Sequence, residues 1–225
     1  MANMKTRLLK NILLCIAGLI VFSINMIFGQ RSAPALKHPD TSSEGWHELF
    51  NNSLSNAIFP TGVWSNNDGV ITATKDEALW SNKEYDDFIL DLEFKNADST
   101  NSGIIVHASD MQDWIPQSVE IQIADDFSDK WKNVPGSWQC GAVFGHKAAS
   151  VHNVKKPGEW NHFTITCIGK KIWVVLNDVL VNEFDMSLYT SAKTNPDGRG
   201  LRTPHLRGEV LHPDGKGHSG SRRKT

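Results

Sequence analysis

From residue 45 to about residue 186 the chain is a succession of short β-branched, aromatic and aliphatic runs closed by turn formers, and no stretch keeps a helical spacing of apolar residues. The runs cover residues 69–74, 88–94, 103–108, 119–124, 141–144, 162–168 and 171–176. Asn67, Asp68 and Gly69 form one turn between such runs, and Gly169 with Lys170 forms another. Both supply residues that tolerate positive φ, so each predicts a hairpin. Asn177-Asp178 then leads into residues 179–184, which makes a three-stranded meander. Seven or more short strands with no helices between them predict an all-β, antiparallel sandwich rather than a parallel α/β sheet.

Two runs place polar groups on alternate residues, Asn101-Ser-Gly-Ile-Ile-Val-His107 and Ser118-Val-Glu-Ile-Gln-Ile-Ala124. A strand has a side-chain period of two, so Val119, Ile121 and Ile123 point to the core while Glu120 and Gln122 point away from it. Asn101 and His107 are expected to join them from the neighbouring run. A carboxylate, an amide and an imidazole on one face make a candidate sugar or metal site; the plain alternative is an ordinary wet sheet face.

The chain opens with Lys5, Arg7 and Lys10 and continues apolar from Ile12 to Phe28, the pattern of a secretory signal peptide over residues 1–29. A retained single span is the alternative. The expected location is therefore the periplasm or outside the cell, with membrane contact only through the leader. Residues 30–43, rich in Pro, Ser and Thr, are expected to be a linker, and residues 44–197 one β-sandwich domain. The formal net charge of −2 gives no field that would draw in nucleic acid. Beyond the leader only Cys140 and Cys167 occur, either as one disulfide or as two buried thiols. No Cys/His spacing suggests a structural zinc.

All eight tryptophans lie between Trp46 and Trp173, inside the segment expected to fold. Trp64, Trp160 and Trp173 are flanked by apolar or turn residues and are expected in the core. Trp114, Trp131 and Trp138 sit in stretches with Pro, Asp, Asn, Ser and Gly, where an exposed ring can stack on a sugar. A hydrophobic plug is the alternative for each.

The order Gly45-Trp-His-Glu-Leu-Phe-Asn51, Asn101-Ser-Gly-Ile104, Val119-Glu-Ile-Gln-Ile123, Gly141-Ala-Val-Phe-Gly145, Lys156-Pro-Gly-Glu-Trp-Asn161 and Trp173-Val-Val-Leu-Asn177 resembles the 3-keto-disaccharide hydrolase family over about residues 44–190. The resemblance implies a concanavalin-like jelly roll of the lectin/glucanase type and an exported bacterial protein acting on glycosides oxidised at C3. It implies substrate-binding roles for Asn101, Ser102 and Gln122 and a catalytic role for Glu120. His107 stands where relatives often carry arginine, and His146 follows the Gly-Ala-Val-Phe-Gly run. Trp114 and Trp138 join the expected substrate contacts.

A ketone at C3 acidifies the C2 proton, so one base can start cleavage: the enolate expels the C1 aglycone and water then adds to the enone. This route needs a general base near neutral pKa, donors for the enolate oxygen and an acid for the leaving group. The expected division gives the proton to His107 or His146. Glu120, Gln122 and Asn101 would hold the sugar or a divalent cation, with no cofactor certain. Asp91 and Glu93 form another carboxylate pair, expected to be solvated surface, and Asp125-Asp126 is a weak cation motif. The alternative function is a non-catalytic carbohydrate-binding module of jelly-roll type.

From residue 198 the sequence turns Gly/Arg-rich and lacks aromatics. The family's closing Gly-x-Ile-x-Leu-Gln and Phe-Arg-Asn strands are missing from it. This atypical basic tail, residues 198–225, is read either as disordered or as the product of a shifted reading frame.

Overall fold

The computed structural model describes residues 33–191 and 194–197, together with the backbone of residues 13–17 and 24–27. The tail from residue 198 lies outside the described residues. Thirteen strands make up the described fold: β1 (Leu13–Ala17), β2 (Ile24–Ile27), β3 (Trp46–Glu48), β4 (Ala57–Ile58), β5 (Trp64–Asn67), β6 (Val70–Ala73), β7 (Trp80–Ser81), β8 (Phe88–Lys95), β9 (Asn101–Val106), β10 (Val119–Ala124), β11 (Trp160–Ile168), β12 (Lys171–Leu176) and β13 (Val179–Asp185). The helical turns among the described residues are short 3-10 turns at Ile115–Gln117, Gly136–Trp138 and Met186–Leu188.

Two antiparallel sheets carry the core. One has the order β1-β9-β10 and the other β13-β12-β11-β8-β2-β3. In β8 the period of two sends Phe88, Leu90, Leu92 and Phe94 inward, where they meet Phe163, Ile165 and Cys167 of β11. The opposite sheet contributes Ile104 and Val106 from β9 with Val119, Ile121 and Ile123 from β10. The rings of Phe94 and Phe163 lie 4.8 Å apart and are both fully buried. This is the sandwich that the alternating runs predict.

The turns follow from residue chemistry. Asp68 and Gly69 have φ of 52° and 86°, as a tight β5–β6 hairpin requires, and Gly69 N–H donates to Asn66 Oδ1. Asn177 and Asp178 do the same between β12 and β13, completing the meander. Residues 141–144 form no full strand: Val143 makes isolated bridges to Ile121 and Lys147.

Two sequence expectations change, and one open alternative closes. The proposed linker is docked, since Ala35 N–H donates to Thr166 Oγ1 and His38 bonds Thr164 on the outer face of β11. Cys140 and Cys167 are both buried free thiols, each packed in the core on a separate segment, with no disulfide between them. Trp64 is core, but Trp160 and Trp173 are half-buried. Strand parity puts Ile172 and Val174 inside and leaves Trp173 on the outer face, while Lys95 lies over Trp160. Two further strands, β1 and β2, come from the segment with the leader pattern. β1 pairs with β9, and β2 lies between β8 and β3.

Candidate functional site

The antiparallel register of β9 and β10 sets Glu120 opposite Ile105, Gln122 opposite Gly103 and Ala124 opposite Asn101. With Ile104, Ile121 and Ile123 committed to the core, this parity turns Glu120, Gln122 and Asn101 together onto the other face. Glycine at 103 is what makes room there. A Cβ built on Gly103 would lie 2.2 Å from Glu120 Oε1 and 2.6 Å from Cγ, so the carboxyl side chain lies directly on the Gly103 backbone.

Although part of the Glu120 residue reaches the surface, its carboxyl group is withdrawn from water. Burial, reinforced by the nearby negative charge of Asp76, pushes its pKa up to about 8. A carboxyl poised in this way is neutral at pH 7 and becomes a base just above it. Beneath it, fully buried Gln122 donates from Nε2 to Asn101 Oδ1 at 3.0 Å. That bond fixes the Asn101 amide with Oδ1 inward, leaving its Nδ2 donor at the exposed mouth. Gln122 Oε1 is buried with no hydrogen-bond partner among the described residues.

Aromatic residues flank the carboxyl. Phe144 N–H donates to the Glu120 carbonyl at 2.9 Å, and Trp138 packs on Phe144 with ring centres 5.5 Å apart. On the other side Trp114 packs against Ile105, Trp80 and Ala108. Trp114 thus packs beside Ile105 of β9, and Trp138 packs on Phe144, whose backbone bonds to β10. Trp131 is a plug, 6% exposed, with its indole N–H donating to Ser99 O. Asp76, Trp80 and Phe144 were not singled out from sequence. Asp76 comes from the connection between β6 and β7 and Trp80 from β7 itself, both far from Glu120 along the chain, so only the fold brings them here.

Two expected site residues, Ser102 and His146, fall elsewhere, and His107 lies just past the end of β9. Ser102 has the opposite parity and is 2% exposed on the core-side face with Ile104 and Ile123. His107 follows the end of β9 with φ 56°, a left-handed conformation that breaks the alternation; Ala108 rather than His107 packs beside Ile105 and Trp80. His146 follows Gly145, whose own φ of 72° turns the chain away, and it lies against Tyr189, Phe184 and Asn195. His146 is thus held by the end of the meander rather than beside Glu120.

The other acidic groups have structural partners. Asp125 caps Ser99 N–H and Phe127 N–H, and Asp126 accepts from Cys140 N–H. Asp91 is 5% exposed, not solvated, because residues 33–40 cover that part of the sheet. Asp91 accepts from Thr164 Oγ1 at 2.6 Å and pairs with His162 Nε2 at 2.8 Å, while His38 Nδ1 lies 2.7 Å from Thr164 Oγ1 and Asp178 N–H donates to His38 Nε2. His38, Asp91 and His162 bring three potential metal ligands within 4.8 Å. Their geometry does not suit an ion. The two imidazoles stack at 3.6 Å with planes 8° apart, so their in-plane lone pairs cannot converge on one centre, and both His38 nitrogens are engaged.

At Glu120 the protein offers one buried carboxyl and, beneath it, the Gln122 amide oxygen.

Among the described residues no helix is long and apolar enough to cross a membrane. No curated protein matches the sequence. A solved structure of a "putative glycosyl hydrolase" from Parabacteroides distasonis ATCC 8503 is 49% identical over 70% of this chain and 83% of its own, with a TM-score of 0.67. A second such protein from the same organism is 21% identical over 61% of this chain and 70% of its own; its TM-score of 0.53 supports the fold. The family model of the 3-keto-alpha-glucoside-1,2-lyase-like domain matches residues 42–210. With three quarters of its length inside that match and the β9–β10 pair at its centre, the chain belongs to the 3-keto-alpha-glucoside-1,2-lyase-like domain family.

Proposed function

We propose that the protein cleaves the glycosidic bond of 3-keto-glycosides, with Glu120 as the base that takes the C2 proton. The observation that carries this reading is the Glu120 carboxyl withdrawn onto Gly103 and poised near pKa 8. A general base is most effective with a pKa near the working pH, and a withdrawn carboxylate abstracts a carbon-bound proton without first shedding a full hydration shell. The Asn101 Nδ2 group, held outward by Gln122, is the donor for the oxygen of the enolate.

The enolate electrons expel the C1 oxygen substituent, and the Glu120 carboxylic acid formed in the first step is the proton source for the leaving oxygen. Water then adds across the C1–C2 double bond of the enone, giving the free 3-keto sugar. Trp114 and the Trp138–Phe144 pair offer flat apolar walls for the sugar ring. The 49% identical relative described as a "putative glycosyl hydrolase" supports a glycoside substrate.

The assay is turnover of a 3-keto-glucoside by the full chain and by Glu120→Gln. Turnover that falls by about 10²-fold or more while substrate affinity holds supports the assignment. Equal turnover in both overturns it, and sugar binding without any turnover by the wild type indicates a binding module instead.

A further inference from the structure

A second carboxylate is brought to the Glu120 face by packing. On β9 the residue directly opposite Glu120 is Ile105, and Ile105 clusters with Trp80 of β7, Ala78 and Trp114. Leu79, between Ala78 and Trp80, is fully buried in the main core. The chain entering β7 is therefore held from two sides against the strand that faces Glu120. Asp76 stands two residues ahead of Ala78, in the bend after β6, and is exposed. One carboxyl is thus withdrawn from water while another stands in water beside it.

Two causes keep the proton on Glu120, first its burial and then the charge of Asp76. They differ in kind. Burial is set by the β9–β10 ladder and the Gly103 backbone, and salt does not reach it. The Asp76 charge acts from the surface, where ions screen it: the screening length is about 10 Å at 0.1 M salt and about 3 Å at 1 M.

The other charged or titratable groups around the face come from three segments. Lys75 and Glu77 flank Asp76, and His107, Asp110 and Asp113 follow β9. His146 and Lys147 follow Phe144, but His146 bonds Asn195 and the Lys147 ammonium is bound to the Glu183 carbonyl. Asp110 accepts from the Gln112 N–H. The charge that acts on the Glu120 carboxyl is that of Asp76.

We propose that Asp76 is a positioning residue for the cleavage reaction, an inference that rests on Glu120 being its base: the Asp76 carboxylate decides the pH at which Glu120 becomes free to take the C2 proton. Removing that negative charge eases ionisation of Glu120, so the base becomes available at lower pH. Asp76 touches no reacting atom in this role and acts only through Glu120.

The test uses the full chain and Asp76→Asn, with a thermal melt to check that the variant folds. The Glu120 carboxyl is titrated directly by its ¹³C resonance, assigned with Glu120→Gln, and the pH profile of kcat on a 3-keto-glucoside is recorded in parallel, each at about 0.1 M and about 1 M salt. The expected midpoint for Asp76→Asn lies at least about 0.3 pH units below wild type at the lower salt, which is about twofold more ionised Glu120 at pH 7. High salt should move the wild-type midpoint toward that of the variant and leave the variant nearly unmoved. Equal midpoints in the two proteins at low salt, or equal salt shifts in both, overturn the proposal. If the variant melts early, the wild type decides alone, and a midpoint that salt does not lower overturns it. A Glu120 resonance that shifts as expected while no protein turns over the 3-keto-glucoside supports the Asp76 assignment and counts against Glu120 as the base, because the titration is read without turnover.

Discussion

Glu120 of β10 lies so closely over Gly103 of β9 that a single methyl group at position 103 would sit 2.2 Å from its Oε1 atom. The absence of a side chain at Gly103 therefore positions the proposed base.

Gly103→Ala should displace the carboxyl while leaving the β9–β10 ladder in place, because the atoms that must move belong to a flexible side chain. Displacement of a reacting group by about 1 Å can cost about 10²-fold in rate. The expected outcome is a 10- to 100-fold loss of kcat on a 3-keto-glucoside, of the order set by that cost, with little change in Tm. Undiminished kcat would show that the Glu120 position is immaterial.

The pH dependence follows from the raised Glu120 pKa of about 8. A base must be ionised, so activity should climb with pH and level off above about 8. Stability runs the other way. The folded state favours the protonated group more than the unfolded chain does, so this residue destabilises the fold progressively as pH rises from the ordinary carboxyl value toward 8. Glu120→Gln should gain stability relative to wild type over that window; denaturant melts at pH 5 and pH 9 measure it, and a constant difference would contradict the buried carboxyl.

His38 should act as a pH-sensitive clasp for residues 33–40. Burial and the facing His162 lower its pKa, outweighing the opposing pull of Asp91 and Asp178. A depressed histidine pKa contributes stability above the unfolded value near 6.5 and loses it as pH falls below that value. His38→Ala should cost about 1–3 kcal/mol at pH 8 through the unpaired Thr164 and Asp178 N–H groups. The deficit should shrink toward pH 5. Urea titrations of both proteins across this range provide the check, and a deficit independent of pH would mean that His38 does not titrate in the clasp.

Removing residues 1–29 takes away β1 and β2. The β9 edge is then bare and the ladder between β8 and β3 is interrupted. Loss of several kcal/mol corresponds to about 10 °C or more in a domain of this size. Thermal melts of the full chain and of residues 30–225 should differ by at least that much. Equal melting temperatures would show that these strands add nothing, as expected of a leader cleaved on export. Mass spectrometry of the secreted protein identifies which form is made.

Much of this architecture was legible because strand periodicity is a local property. The alternation in residues 119–124 determined which side chains face the core, and Asp68-Gly69 and Asn177-Asp178 fixed hairpins through their tolerance of positive φ. The same periodicity placed Asn101, Glu120 and Gln122 on one face before any contact was known. It failed at Ser102, where the motif resemblance assigned a role that strand parity denies, and it stops at His107, where one left-handed residue ends the alternation.

What the tertiary structure alone decided depends on neighbours distant in sequence. Asp76 from the β6–β7 connection and Trp80 from β7 reach the Glu120 face, and the Glu120 pKa is set by the depth of its carboxyl, which no local pattern encodes. His146 was drawn to Tyr189 and Asn195 by packing at the end of the meander, and His38 was pinned to β11 from a segment that looked like a free linker. Sequence determined the faces of the strands because side-chain direction follows from the backbone; the fold decided which faces meet, and with them which groups lose water and acquire chemistry.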